Sequence, residues 1–141
     1  MNVLIIDGQG GNIGRRLAEM TVSSYPDASV TVVGTNSAAT ANMLKAGNVS
    51  GATGENAVLV GCRRADIITG PIGIVVADAL LGEVTPKMAA AVGQSDAVKV
   101  LIPMNRCETL IAGVDNAPLS SLIDDAMKKI GAVAEKTLDK R

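Results

Sequence analysis

No histidine, phenylalanine or tryptophan occurs in this chain of 141 residues, and Tyr25 is its one tyrosine. The absence of histidine removes the commonest zinc ligand and general base. The two cysteines, Cys62 and Cys107, stand too far apart to form a Cys-x-x-Cys pair, so no metal site is expected. Without aromatic faces there is no platform on which the bases of RNA or single-stranded DNA stack. Excess charge is missing as well: 13 Lys and Arg against 14 Asp and Glu leave a net charge of -1, which is no footprint for nucleic acid. The most hydrophobic segment, Ile67 to Leu81, contains Gly70, Pro71, Gly73 and Asp78, and is too short and too interrupted to span a membrane. An apolar run begins at the third residue with no basic region before it, so no signal peptide is expected. The expectation is a cytoplasmic, reduced protein with neither nucleic acid nor a membrane as partner.

What is present is aliphatic. Apolar residues make up 48% of the chain, enough for one domain over residues 1–141 to bury a core. Apolar strands are expected at Asn2–Asp7, Ser29–Gly34, Asp66–Thr69 (broken by Gly70-Pro71) and Val98–Pro103, with a short one at Thr109–Val114. Helical spacing is expected at Asn12–Ser24, Ser37–Ala46, Glu55–Arg64, from Pro71 or Ile72 to Gly82, from Thr85-Pro86, and from Pro118 onward. The stretch Asn48–Gly54 reads as turns. Strands alternating with helices predict an α/β fold: a three-layer, doubly wound, Rossmann-like open sheet of four or five mostly parallel strands, with helices on both faces. The segment from Ile72 to Leu81 is apolar nearly all round, which predicts a buried helix at a subunit interface and hence a homo-oligomer.

The informative stretch is Asp7-Gly8-Gln9-Gly10-Gly11-Asn12-Ile13-Gly14. It follows the run Val3-Leu4-Ile5-Ile6 and leads into a helical face whose first residue is Ile13, continued by Leu17 and Met20. Strand, glycine turn and helix form an arrangement that binds phosphate, because the first amides of a helix are unpaired and its dipole favours an anion there. The spacing is G-x-x-G-x-x-G, with Ile13 where strict G-x-G-x-x-G would have its last glycine. Close helix–strand packing alone accounts for one or two glycines, so a ligand-free tight turn is the competing reading.

Ligands of such sheets bind beyond the carboxyl ends of the strands. That places Asp7, Thr35, Asn36, Gly70, Pro71, Asn105, Arg106 and Cys107 at one edge, with Glu55 in a turn that faces it. Each has a plain reading beside the functional one. Asp7 binds a ligand hydroxyl or caps the loop amides. Gly70-Pro71 forms a second phosphate turn or an ordinary helix start. Glu55 is a general acid/base or a carboxylate favoured by the helix dipole. Cys107 is a thiolate activated by Arg106 or an inert thiol. Arg15 and Arg16 pair with a ligand phosphate or are solvated.

The loop Gly8-Gln9-Gly10-Gly11-Asn12-Ile13-Gly14 resembles the nucleotide loop of the extended short-chain dehydrogenases, which implies the pyrophosphate of NAD(P) at this turn. That family's Tyr-x-x-x-Lys pair is absent, since Ser29 stands four residues after Tyr25, so its dehydrogenase chemistry is excluded. The second strand ends Gly34-Thr35-Asn36 without the carboxylate that reads a ribose, which leaves room for a 2′-phosphate beside Arg15 or Arg16. Taken whole, the chain resembles an uncharacterised family of small bacterial proteins. The likeness is carried by Ile6-Asp7-Gly8-Gln9-Gly10-Gly11, Gly34-Thr35-Asn36, Gly51-Ala52-Thr53-Gly54-Glu55-Asn56, Gly70-Pro71-Ile72-Gly73, Gly82-Glu83-Val84-Thr85-Pro86 and Ile102-Pro103-Met104-Asn105-Arg106-Cys107. It implies a free-standing Rossmann-like domain and no particular activity. The leading expectation is a binding or regulatory module for a nucleotide or dinucleotide. A small enzyme acting on a phosphorylated substrate with Glu55, Arg106 and Cys107 stands as the second reading, and a structural subunit without ligand as the third.

Overall fold

A computed structural model of the protein describes residues 1–104, 109–114 and 116–139. Five strands, β1 (Asn2–Asp7), β2 (Ser29–Gly34), β3 (Ser50–Thr53), β4 (Ile67–Pro71) and β5 (Val98–Ile102), form one sheet in the order β3-β2-β1-β4-β5. Every pairing is parallel, and β1 lies at the centre, running Asn2↔Ser29 to Asp7↔Gly34 against β2. The helices are α1 (Asn12–Ser24), α2 (Ser37–Leu44), α3 (Glu55–Arg64), α4 (Pro86–Gln94) and α5 (Leu119–Asp139).

Alternation along the strands divides the core in two. Val3, Ile5, Val32, Ile67 and Ile102 meet Leu17, Met43, Ile123 and Ile130 of α1, α2 and α5 on one face. Leu4, Ile6, Val33 and Ile68 meet Val58, Cys62, Met88 and Val92 of α3 and α4 on the other. Both faces of the central strands are therefore buried, which is why they read as continuous apolar runs rather than alternating ones. The sheet is the three-layer, doubly wound α/β arrangement expected from the sequence, and its strand order reverses between β1 and β4. No helix among the described residues is long and apolar enough to cross a membrane.

Four expectations need correction. The turn-rich stretch before α3 contains β3, an edge strand whose four residues are all exposed, so Ser50-Gly51-Ala52-Thr53 carries no apolar signal. Gly70-Pro71 does not break β4 but completes it, since Pro71 pairs with Ile102; β1 pairs with β4 only as far as Thr69, so the proline stands where β5 alone runs beside it. Thr109–Val114 is not a strand: Val114 N–H donates to Ile111 O across a turn, Gly113 takes φ +80°, and Leu110 is exposed.

The largest difference lies between Ile72 and Gly82. The expected buried helix is replaced by one 3-10 turn, Ile72–Val75, and then by successive tight turns. Ile72, Ile74, Val75 and Val76 are β-branched and disfavour a helix, and Asp78, Leu80 and Leu81 take left-handed φ. Asp78 N–H donates to Val84 O and Val84 N–H to Ala79 O, which closes the segment on itself. These turns, not a helix, form the segment from which the oligomer is expected, and they leave Leu81 92% exposed. The turns deliver Glu83 back over the glycine loop, while Thr85 and Pro86 start α4 as expected, Thr85 Oγ1 accepting from Met88 N–H.

Candidate functional site

The loop between β1 and α1 is organised by Asp7. Its buried carboxylate accepts Gly8 N–H on Oδ1 and Gly14 N–H on Oδ2, both at 2.7 Å. Burial pushes its carboxyl above the usual range, with the Glu83 charge acting the same way; the amides of Gly14, Gly8 and Ile13 offset part of the rise. Of its two sequence readings, capping the loop is what this geometry shows. Gly11 follows with φ +74° as the N-cap of α1, which has no side-chain cap.

The glycines are not equivalent. A Cβ on Gly8 would lie 2.5 Å from Thr35 Oγ1, one on Gly11 2.7 Å from Ala39 O, and one on Gly14 2.4 Å from Met43 Sδ. All three therefore answer to packing between the loop and its neighbours. Gly10 does not. Its φ is not left-handed, and a Cβ there would find nothing nearer than Asn12 Nδ2 at 3.6 Å. Asn42 of α2 holds this corner, its Nδ2 donating to Gly10 O and Asn12 Oδ1 at 2.9 Å each. Among the described residues, the amides of Gly10 and Asn12 have no hydrogen-bond acceptor.

A second carboxylate stands on the β2 side. Oε1 of Glu83 accepts from Gln9 N–H at 2.9 Å, Thr35 Oγ1 at 2.7 Å and Asn36 Nδ2 at 2.6 Å. Burial acts to raise its carboxyl, but the bonds from Gln9, Asn36 and Thr35 together bring it below the ordinary value. Asn36 has no freedom to turn away, because its Oδ1 caps α2 by accepting from Ala39 N–H at 2.8 Å.

Above the loop, on the β4–β5 side, opens a cleft of about 610 Å³. It is lined by Asp7 to Ile13, by Pro71, Leu80, Pro103 and Met104, and by Val114, Asn116, Ala117, Leu119 and Leu122. The N-termini of α1 and α5 both border it, and Asp7 is its one ionisable lining residue among those described. An anion in this cleft would be met by backbone amides and two helix dipoles, and by no cation among the described residues.

Residues 2–135 match a family described as a domain of unknown function, DUF3842. The chain belongs to this family. No curated protein matches it. Among solved structures it is similar to a dodecameric FMN-dependent Ubix-like decarboxylase from Escherichia coli O157:H7. The identity is 14% and the TM-score 0.46, over 95% of this chain and 76% of that one.

In this DUF3842 chain the structure brings Asp7, Gly8, Gln9, Gly10, Gly11, Asn12, Ile13 and Pro71 together on the cleft. Gly14 lies beneath them, and Gly70 backs onto Ile6 of β1. Thr35 and Asn36 face Glu83 and do not line the cleft. Arg15 is engaged by Glu19 at 2.7 Å and by Asn42 Oδ1 at 3.1 Å. Glu55 also stands apart, its Oε2 accepting from Thr85 Oγ1 at 2.6 Å, so it ties α3 to α4. Asn105, Arg106 and Cys107 fall outside the described residues. Sequence reasoning missed Glu83, Asn42 and the α5 wall. Glu83 lies 74 residues from Gln9, and no local pattern signals such a contact.

Proposed function

We propose that this protein is a binding module for a phosphate-bearing small molecule of the nucleotide class, held in the cleft between the N-termini of α1 and α5. One observation carries the reading: among the described residues Gly10 has neither a backbone nor a packing reason to be glycine, and it borders the cleft where its own amide and that of Asn12 have no acceptor. A missing Cβ at such a place lets a ligand approach the backbone closely. The position, at the carboxyl edge where the strand order reverses, is where ligands of open α/β sheets bind. Gly8, Gly11 and Gly14 lend little to this argument, since packing explains them. The enzyme reading is weaker, because Glu55 is spent on Thr85 away from the cleft. NAD(P), the ligand implied by the loop's resemblance, fits less well than a mononucleotide, for reasons that begin with Glu83.

The test is a thermal-shift panel with AMP, GMP, FMN, NAD, NADP and inorganic phosphate on the wild type and on Gly10→Ala. Ligand at roughly 100 times its Kd stabilises by about 2.7 kcal/mol, a shift of several degrees. Gly10→Ala is expected to melt within about 0.5 kcal/mol of wild type when free. With ligand present it should bind about tenfold more weakly or worse. Equal affinity in the two proteins would remove the ligand from the loop. Failure of every compound to shift the wild type would leave the structural-subunit reading in its place.

A further inference from the structure

We infer that Glu83 is a specificity-determining residue, which fills the β2-side half of the ligand site with its own carboxylate and so admits a mononucleotide while excluding a dinucleotide. The inference rests on the nucleotide reading above and narrows it.

The argument begins with the donors. Gln9 N–H, Thr35 O–H and the Asn36 amide converge on a single oxygen at 2.6 to 2.9 Å. Three donors from three positions, one of them fixed by its second role as a helix cap, make a hole for an anion or a strong acceptor. In an open parallel sheet an extended ligand crosses the switch point and reaches the end of the strand next to β1. Here that strand is β2, and the hole at its end is already full. The occupant comes from a distant part of the chain and is anchored at both sides. Val84 after it is 1% exposed, and Leu80 before it packs so tightly on the loop that a Cβ on Gly8 would lie 2.7 Å from Leu80 Cδ1. The consequence is visible in the cleft, whose lining includes Leu80 but neither Thr35 nor Asn36. A second nucleotide running over β2 would have to displace three charge-assisted hydrogen bonds, and a phosphate there would also face a like charge. The β2 end, which lacks a carboxylate in sequence, thus receives one from the segment before α4. It receives it as an occupant rather than as a vacant reader of ribose hydroxyls.

The experiment pairs each mononucleotide with a dinucleotide that contains it: AMP with NAD, and FMN with FAD. Calorimetric titrations of wild type, Glu83→Ala and Glu83→Gln are compared. Wild type is expected to bind a mononucleotide at least about tenfold more tightly than its dinucleotide. Glu83→Ala, which empties the hole, should gain dinucleotide affinity by a similar factor. Glu83→Gln keeps an acceptor oxygen in place and should still reject dinucleotides, a result that a purely stabilising role for Glu83 would not produce. In a separate arm, acetate is added while the Gln9 backbone amide and the Asn36 side-chain amide are followed by NMR. Both should respond in Glu83→Ala and neither in wild type. Equal binding of a mononucleotide and its dinucleotide by wild type overturns the inference, whatever the variants do. So does a Glu83→Ala protein that gains neither dinucleotide affinity nor an acetate response. If no nucleotide binds any of the three proteins, the nucleotide reading itself fails. The acetate arm then decides whether Glu83 fills an anion hole: a response in Glu83→Ala upholds that assignment and silence overturns it.

Discussion

Gly70→Ala is expected to lower the stability of this protein by about 4 kcal/mol, from a total of about 5–15 kcal/mol for a domain of ordinary stability. Gly70 takes φ +154°, and a Cβ built on it would lie 2.1 Å from the carbonyl oxygen of Ile6. That oxygen belongs to the central strand. Ile6 is 2% exposed and in register with Val33 of β2, so β1 cannot retreat without disturbing its pairing on the other side. Backbone strain of this kind costs about 1–3 kcal/mol and overpacking a further 1–3 kcal/mol. The measurement is urea unfolding. With a slope of about 1–3 kcal/mol/M, the midpoint should fall by more than about 1 M. Gly93→Ala is the control. Gly93 lies in α4 with ordinary φ, and a Cβ there would meet nothing within 4 Å, so that change should stabilise by about 0.5–1 kcal/mol. A loss below about 1 kcal/mol for Gly70→Ala would mean that the end of β4 does not hold this approach to β1.

These two glycines illustrate what can and cannot be seen in a sequence. The layers are legible because each buried strand is a run of branched aliphatics, such as Val3-Leu4-Ile5-Ile6, and because Thr85-Pro86 and Gly8–Gly14 mark helix starts by local chemistry. β3 is hidden because an edge strand with four exposed small residues needs no apolar pattern. The segment after β4 reads as a helix because its composition is apolar, while its β-branched run and left-handed Asp78, Leu80 and Leu81 set a turn instead. Within the site, the loop is legible and the reasons for its glycines are not. Three of them meet side chains or backbone from α2, from Thr35 after β2 and from the segment before α4, contacts that only the tertiary arrangement creates. Glu83 shows the same limit most sharply, since its partners lie 47, 48 and 74 residues away.

Asp7→Ala should destabilise the protein by about 2–3 kcal/mol and loosen the start of α1. A hydrogen bond to a charged group contributes about 1.5–3 kcal/mol, and Asp7 accepts two, from Gly8 and Gly14. Removing the carboxylate also relieves its cost of burial, which is why the net loss is less than the sum. Gly14 is in the first turn of a helix that has no other side-chain cap, so the loss falls on the geometry that presents Gly10 and Asn12 to the cleft. Ligand binding should therefore weaken together with stability, unlike in Gly10→Ala. Asp7→Asn adds a pH test. The folded-state pKa of Asp7 lies above its usual 3.8, so over the range between the two values the folded protein holds more protons than the unfolded chain. Its contribution to stability is then largest in acid and declines as pH rises from the unfolded pKa through the folded one. Glu83, whose pKa is lowered, works oppositely: its contribution is present above the unfolded pKa and is lost as pH falls through the folded one. Asn cannot titrate, and its amide nitrogen faces one N–H as a mismatched donor. The stability gap between wild type and Asp7→Asn should thus be widest in acid and narrow towards neutral pH. Denaturant unfolding of both proteins across that range reads it directly, and a gap that widened with pH would show that the amides of Gly8 and Gly14 outweigh burial at this carboxylate.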